Sequence, residues 1–413
     1  MMQPNLAEFG FTEEHQALYD SAWKYAEKEM HPLLARMDDE DWFPDTEYRA
    51  MASAGMLGTT VPEELGGAGL DFISQALVAE AFSYWNHCLS ASWGSSENLC
   101  VNNIVRNANE AQKAKYLPRF VKGEAIGALG LTEPGAGSDA LGSMATTATR
   151  DGDEYVLNGR KMFITNGPVA DVLLVYAKTN VGAGAHGISA FIVEKDFPGF
   201  SVAQKLDKMG WRGSPTGELV FDNCRVPAEN LVGAENGGVA VVMSGLNIER
   251  VLLCVSTIGV AQRALDLSLA YAKERMQFGK PIGHFQLVQG MLADMYTDVE
   301  TMRATAYQIL KEVNELEQGG GGRGVVHMRT AMTALHTGRA LMRVLDSAVQ
   351  IHGGMGFMRE TEVNRLYRSG KVIEIGAGTN QVRQSIIAKE LLKANADERG
   401  TGHDRQYGTR SRA

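Results

Sequence analysis

A single acidic side chain, Glu249, lies beside Arg250 in the segment MSGLNIERVLLCVSTIGVAQ (243–262), which has no other charged residue. The apolar neighbours predict burial, and burying a carboxylate costs several kcal/mol unless it is paired. Two interpretations fit. The pair could be a buried ion pair in a helical core. Alternatively, Glu249 could be a general base in a water-poor pocket, which would raise its pKa toward the working pH.

Two glycine-rich stretches imitate the dinucleotide-binding fingerprint. Gly182 to Gly187 (GAGAHG) is followed by a β-like run, and Gly135 to Ala140 (GAGSDA) by no helical pattern, so neither provides the helix N-terminus that holds a pyrophosphate. We interpret the first as a hairpin loop. The second lies in LGLTEPGAGSD (129–139), which could surround a polar ligand with backbone N–H groups and the hydroxyls of Thr132 and Ser138. A plain inter-domain loop fits that spacing equally well.

Apolar spacing divides the chain into three stretches of different secondary structure. Helical periodicity occupies residues 11 to about 125 and about 239 to 393. Between them, short apolar runs alternate with turn residues, as in a small β-barrel or sandwich. We therefore predict a mainly α protein with a central β-domain and an antiparallel C-terminal four-helix bundle. The predicted parts are a helical domain at 1–125, a β-domain at 126–238, a helical bundle at 239–395 and a disordered tail at 396–413.

The central stretch also carries local strand and turn signals. Within GDEYVLNGRKMFITNG, the pair Asn158-Gly159 predicts a hairpin turn between two strands. Gly319 to Gly322 predict a loop between C-terminal helices. Further strands are predicted at VLLVYA (172–177), ISAFIVE (188–194) and ELVFD (218–222).

Composition and charge narrow the classes of function. The 413-residue chain is 44% hydrophobic and has a net charge of −9, which argues against a nucleic-acid partner or an anionic membrane surface. We find no run of about 18 apolar residues, so stable membrane insertion is not expected. The N-terminus lacks the features of a signal peptide, and a cytoplasmic location is expected. The widely spaced cysteines predict free thiols in a reducing compartment, without metal-type spacing: Cys88, Cys100, Cys224 and Cys254.

Five motifs in a fixed order resemble the acyl-CoA dehydrogenases, FAD enzymes that introduce an α,β double bond into acyl-CoA thioesters. The resemblance covers nearly all of residues 11–393 and implies that family's helical, β, helical architecture. It also implies an acyl-CoA substrate, electron-transfer flavoprotein as the electron acceptor, and a homotetramer. The motifs are LTEPGAGSD (131–139), KMFITNG (161–167), RMQFGKPIGHFQ (275–286), QIHGGMGF (350–357) and EIGAGTNQVRQ (374–384).

The resemblance implies a set of FAD contacts. Phe163 and Thr165 match the residues beside the flavin ring, whereas Arg275, Phe278 and Gln286 match residues that reach the FAD of a neighbouring subunit. A guanidinium suits this role because it forks onto pyrophosphate oxygens. Taken singly, such residues also fit structural roles at element ends or in the core. The implied set is Leu129, Leu131, Thr132, Gly137, Ser138, Phe163, Ile164, Thr165, Arg275, Phe278, Gln286, Gln350, Gly353, Gly354, Thr379, Asn380 and Gln381.

The catalytic base departs from the family's usual position. Most members have a glutamate immediately before the Gly-Thr of the C-terminal motif, where this chain has Ala377. In the subgroup that includes isovaleryl-CoA dehydrogenase, the base lies on a helix, in a segment that resembles SGLNIERVLL. The resemblance therefore implies that Glu249 is the base. Glu374 is the rival acid, and we interpret it as structural.

The resemblance also implies contacts with the acyl-CoA. Gly376 would leave room for a branched acyl chain, although a turn glycine with positive φ explains it equally well. Arg250 is expected to pair with the substrate or with CoA phosphates. The implied substrate contacts are Ser138, Ala185, His186, Asn247, Arg250, Tyr271, Gly376, Ala377 and Gly378.

Isovaleryl-CoA is the leading expected substrate, and two groups of alternatives stay open. Another branched acyl-CoA, of the 2-methylbutyryl or citronellyl type, would use the same chemistry. A flavin-bearing relative without dehydrogenase activity could be a DNA-associated protein or a desulfinase. The net charge argues against a DNA-associated protein, and the presence of Glu249 argues against a desulfinase.

Overall fold

The computed structural model describes residues 3–316 and 324–400, with side-chain environments up to residue 393. The predicted loop at Gly319 to Gly322 lies outside the described residues. The predicted tail at 396–413 lies mostly outside them as well, and the last helix extends to residue 400.

The N-terminal part of the chain is helical. Thr12 caps the first helix by accepting a hydrogen bond from His15 N, and Asp71 caps the fourth by accepting one from Ser74 N. Residues Ser95–Val101 continue the fourth helix as a π-helical segment into the fifth. The helices are α1 (Glu13–Tyr25), α2 (Leu34–Glu40), α3 (Asp45–Ala50), α4 (Phe72–Gly94), α5 (Asn102–Asn107) and α6 (Glu110–Val121).

The central part is an eight-stranded sheet in which β1 pairs in parallel with β4. The other strands lie in the order β6-β7-β3-β2-β4-β5-β8. The predicted hairpin loop at GAGAHG is confirmed, because it joins the antiparallel strands β4 and β5 and is followed by a strand. The strands are β1 (Gly127–Gly130), β2 (Thr147–Asp151), β3 (Glu154–Thr165), β4 (Val172–Lys178), β5 (Ile188–Glu194), β6 (Phe200–Lys205), β7 (Thr216–Pro227) and β8 (Leu231–Val232).

The prediction of a hairpin turn at Asn158-Gly159 is wrong. Both residues lie inside the continuous strand β3, whose pairing register with β7 shifts between Leu157 and Gly159. A Cβ atom on Gly159 would come within 2.5 Å of Thr146 Oγ1, so the glycine admits a bulge close to the neighbouring chain. Pairing with two neighbouring strands therefore overrides the local turn signal.

The C-terminal part is a helical bundle around one long helix, α7, which packs against α4, α8 and α9. By length and composition α7 could cross a membrane, contrary to the expectation from apolar runs, but 61% of its most apolar stretch is buried within the chain. After α7 (Gly238–Glu274), a short ribbon of β9 (Met276–Gln277) and β10 (Lys280–Pro281) leads to the remaining helices. These are α8 (Gln286–Asn314), α9 (Gly324–His352), α10 (Gly354–Phe357), α11 (Glu362–Gly370) and α12 (Asn380–Gly400).

The largest apolar core joins the N-terminal helices to this bundle, while two smaller cores lie on and within the sheet. All four cysteines are buried and free, in agreement with the sequence. The sheet and the bundle are thereby held against the same N-terminal helices.

Candidate functional site

Glu249 lies on α7, facing the segment that continues α4 into α5. Its side chain is half-buried, and its Oε1 accepts a hydrogen bond of 2.9 Å from Asn103 Nδ2. The Oδ1 atom of the same amide accepts a bond of 3.1 Å from Arg106 Nη2. Glu249 is therefore held by a neighbouring helix, and the ion pair with Arg250 suggested by the sequence is not its main contact.

The electrostatic surroundings of Glu249 push its pKa in opposite directions. Burial raises the pKa of the Glu249 carboxyl above its usual range, while Arg106, the bond from Asn103 and then Arg250 oppose that rise. Such a carboxylate is a stronger proton acceptor than a solvated one. The arrangement can therefore perform general-base chemistry.

Arg250 and Asn247, both expected to contact the substrate, are buried on α7. The Arg250 side chain is only 5% exposed, and its Nη1 is 3.3 Å from His327 Nδ1. Asn247, expected to contact substrate, is also buried, and its amide oxygen accepts a hydrogen bond of 3.1 Å from Thr330. This face of α7 turns into the bundle, and the expected contacts of Arg250 and Asn247 with the substrate stay predictions.

The loop between α11 and α12 covers this part of α7. A Cβ atom on Gly378 would lie 3.6 Å from Arg250 Nη2, and Arg383 Nη2 donates a hydrogen bond of 3.0 Å to Gly376 O. Ala377 has a left-handed φ of 51°, and its methyl group is exposed. The loop thus brings a small side chain, and no acid, next to Arg250.

Gly376 and Glu374 both lie between α11 and α12 but have different surroundings. Gly376 is absent from the residues with positive φ in the described part of the chain, so a backbone requirement for glycine does not explain it. Glu374 pairs with Lys371 at 2.6 Å and accepts a hydrogen bond of 3.0 Å from Asn380 Nδ2. Asn380, expected at the cofactor, therefore uses its amide within the loop, and Glu374 has a structural role.

A buried ion pair fixes the loop that follows β1. Lys161 Nζ lies 2.7 Å from Glu133 Oε1, and both side chains are buried. Glu133 also accepts hydrogen bonds from Ala145 N and Thr146 N. Lys161 donates a further bond of 3.2 Å to Leu131 O. This pair holds the predicted cofactor loop against β3, with Pro134, Gly137 and Ser138 exposed on it.

Phe163 has the geometry of a residue that stacks on a flat ligand. Its ring is 66% exposed, and its φ of 62° is rare for an aromatic residue. The next residue, Ile164, is only 3% exposed and packs in the sheet core, so its expected contact with the cofactor would come from its backbone. The exposed ring beside the loop of residues 129–138 fits the isoalloxazine of FAD.

A second group of predicted cofactor residues lies at the C-terminal end of α7. Arg275 follows the last residue of this helix and is twenty-six positions after Glu249. At 1.5 Å per residue, the distance between them along the helix axis is about 39 Å. Phe278 is 91% exposed, and Tyr271 stacks on His352 with ring centroids 4.3 Å apart. Tyr271 therefore lies with this group at the far end of α7, and its expected contact with the substrate stays a prediction. Exposed residues that join this group are Gln286, Gln350, Gly353 and Gly354.

The remaining predicted residues have varied environments. Leu129, Leu131, Thr132 and Thr165 are half-buried beside the exposed loop. His186 is exposed on the β4–β5 loop, where Ala185 packs on the second core. At the start of α12, Thr379 Oγ1 accepts a hydrogen bond from Val382 N, and Gln381 is exposed.

Sequence reasoning missed Asn103, Arg106 and the Lys161–Glu133 pair. Asn103 and Arg106 lie in the run NNIVRN (102–107), whose neighbours are also polar, so the sequence carries no distinct signal for them. That run gives no indication of its partner, because Asn103 and Glu249 are 146 residues apart in the chain.

Family models and known proteins agree with this arrangement. Models of the acyl-CoA dehydrogenase N-terminal, middle and C-terminal domains match residues 12–124, 128–224 and 236–392. A mitochondrial isovaleryl-CoA dehydrogenase of Solanum tuberosum is 42% identical over 95% of this chain and 94% of its own length. A mitochondrial 2-methylacyl-CoA dehydrogenase of the same species is 43% identical over 91% and 89%. The solved structure of PigA with FAD and proline has a TM-score of 0.87 at 30% identity, covering 94% of this chain and 99% of that one.

We expect Lys161→Met to release FAD and to destabilise the protein. The substitution leaves Glu133 as an uncompensated buried charge, which costs about 3–5 kcal/mol. Arg225→Met is the matched control, because it removes an exposed pair worth at most about 1 kcal/mol. The measurements are the FAD-to-protein ratio after gel filtration and the melting temperature. Equal values for Lys161→Met and the wild-type chain would contradict the role of the pair.

Proposed function

Since the chain belongs to the acyl-CoA dehydrogenase family and is an FAD-dependent oxidoreductase, we propose that it oxidises a short branched-chain acyl-CoA between the α and β carbons. Isovaleryl-CoA is the proposed substrate. FAD supplies the hydride acceptor for the β-hydrogen, and Glu249 removes the α-proton.

The observation that carries this proposal is the placement of Glu249. It is a half-buried carboxylate on a helix, whereas the family's usual position for the base in the C-terminal loop has the methyl group of Ala377. Asn103 holds Oε1, so Oε2 is the atom that takes the proton. The one acid near the loop, Glu374, is already engaged by Lys371 and Asn380. Glu249 is therefore the residue suited to act as the base.

A complete site requires more than one chain. Phe163 lies in β3 beside the loop of residues 129–138, whereas the Arg275 group lies at the end of α7, about 39 Å along the helix from Glu249. We assign the Arg275 group to the cofactor of a neighbouring subunit, in a homotetramer. The exposure of Phe278 and Leu287 beside that group supports burial against another copy.

Gly376 supports the branched substrate. Since its backbone does not require glycine, the lack of a side chain has a different cause, which we propose is space beside the β-carbon of the substrate. The 2-methylacyl-CoA dehydrogenase relative makes a 2-methyl-branched acyl-CoA the second candidate. A citronellyl-type substrate would need more space in the same pocket.

Electron-transfer flavoprotein is the proposed acceptor on the basis of the family. The placement of Glu249 favours a dehydrogenase over a flavin-bearing relative without that activity.

We expect Glu249→Gln to abolish reduction of the flavin by isovaleryl-CoA. Glutamine keeps the size of the side chain and its bond with Asn103 but cannot accept the α-proton. Loss of a general base lowers rates by about 10²–10⁴-fold. The measurement is anaerobic bleaching of the flavin band, with Glu374→Gln as the control that should bleach at nearly the wild-type rate. Bleaching by Glu249→Gln at the wild-type rate would refute the assignment.

We expect Gly376→Phe to discriminate between branched and straight acyl chains. A Cβ atom here would lie 3.4 Å from Val372 O, so the backbone accepts a side chain, and the ring should fill the pocket. The value of kcat/KM for isovaleryl-CoA should fall about tenfold or more relative to butyryl-CoA, the usual scale for losing one methyl-sized space. Gly376→Ala should have a smaller effect. An equal loss with both substrates would show that Gly376 does not face the branch.

A further inference from the structure

We propose that Arg106 is a positioning residue that acts through Asn103 to keep the Glu249 carboxylate ionised and correctly oriented before the α-proton is removed. This inference rests on the proposed role of Glu249. Arg106 is not expected to touch the substrate. It acts on the base from behind, from a different helix.

The amide of Asn103 can bridge the two charged groups in only one orientation. Its Nδ2 donates to Leu99 O at 2.8 Å as well as to Glu249 Oε1, while its Oδ1 accepts from Arg106 Nη2. Rotating the amide by half a turn would direct its oxygen at a carbonyl and a carboxylate, and its NH₂ group at a guanidinium. The neighbouring groups therefore fix the amide, and the amide fixes the Oε1 atom of Glu249.

Gly245 provides the space in which the charges approach each other. A Cβ atom built on Gly245 would lie 2.4 Å from Arg106 Nη2 and 2.6 Å from Glu249 Oε1. The two atoms can therefore be no farther apart than these two distances together. Yet they form no direct ion pair within the described residues. The guanidinium thus stabilises the carboxylate without occupying the oxygen that must accept a proton.

The hydrogen-bonding state of Arg106 supports an electrostatic role. Its Nε and Nη1 atoms are buried and have no partner among the described side chains and backbone. Burial lowers the pKa of Arg106, and Glu249 is the largest influence that raises it. An arginine kept in such a site contributes charge more than hydrogen bonds.

Other groups around Glu249 do not replace Arg106. Arg250 lies on the same helix, and its contribution to the pKa of Glu249 is smaller than those of Arg106 and Asn103. Behind it lie Arg383 and His327, the latter with a pKa lowered by burial to about 4. From the sheet, the buried hydroxyl of Tyr176 faces the pair, and burial raises its pKa. Arg106 is therefore the main cation acting on the base.

The sign of the pH effect follows from these positions. Glu249 must be ionised to act, so activity is present above its pKa and is lost as the pH falls through it. Removing a nearby cation raises a carboxyl pKa by about 1–3 units. In Arg106→Met, the acidic limb of the kcat/KM profile should therefore move to higher pH by about one unit or more.

The experiment compares pH profiles of kcat/KM for isovaleryl-CoA in three variants of the FAD-loaded protein. Arg106→Met should shift the acidic limb, whereas Arg106→Lys should shift it less because it keeps a positive charge. Arg119→Met removes an arginine from α6 that pairs with Glu194 and should leave the limb unchanged. A uniform loss at every pH, with the limb unmoved, would show that Arg106 is merely structural and would overturn the proposal.

A second measurement does not depend on turnover. The infrared carboxylic-acid band that is present in the wild-type chain and absent from Glu249→Gln reports the protonation of Glu249. In Arg106→Met this band should persist to higher pH, and an unchanged titration would overturn the proposal. The failure of the proposed function is distinguishable, because Glu249→Gln would then still bleach the flavin.

Gly245→Ala is the variant to use if Arg106→Met does not fold. Its Cβ atom would displace the guanidinium and the carboxylate without removing either charge. We expect a lower kcat with little change in KM and a shifted acidic limb. A wild-type profile for Gly245→Ala, with its FAD content retained, would contradict the proposed geometry.

Discussion

The burial of α7 is the constraint on which the rest of the structure depends. This helix has 37 residues and packs against α4, α8 and α9, so polar groups along it must find partners on those neighbours. Arg250 reaches His327 on α9, and Glu249 reaches Asn103 beyond α4. The burial of α7 therefore raises the pKa of Glu249 and also determines which residues on neighbouring helices contact its carboxylate.

Close packing of two helices sets the register of these contacts. A Cβ atom on Gly259 would lie only 2.2 Å from Glu80 O, so α7 and α4 approach at this point to a distance that only glycine permits. About four turns earlier in α7, Gly245 opens space for the side chains of α5. Because the π-helical segment Ser95–Val101 joins α4 to α5, this approach also positions Asn103 and Arg106.

The order of the helical and β parts could be predicted from the sequence, because periodicity and consecutive motif residues are local features. Glu249 could be selected as a candidate, since its charge contrasts with its apolar neighbours, and its role as the base stays a prediction. Asn103 and Arg106 could not be assigned, because their role arises from helix packing between distant segments. The prediction of a turn at Asn158-Gly159 is wrong for a related reason. The pairing of β3 with β2 and β7 outweighs the preference of these two residues for a turn.

In the proposed assignment, the base lies on a helix. The C-terminal loop therefore does not have to hold the carboxylate and leave space for the substrate at the same time. A helical carboxylate is held by packing and by second-layer hydrogen bonds, which preserve its geometry better than a loop does. The loop at Gly376 to Gly378 then needs only to cover Arg250 and can keep small side chains. With Glu249 as the proposed base, the space proposed beside the substrate at Gly376 and the rigidity of the base have one common origin, the location of proton removal on α7.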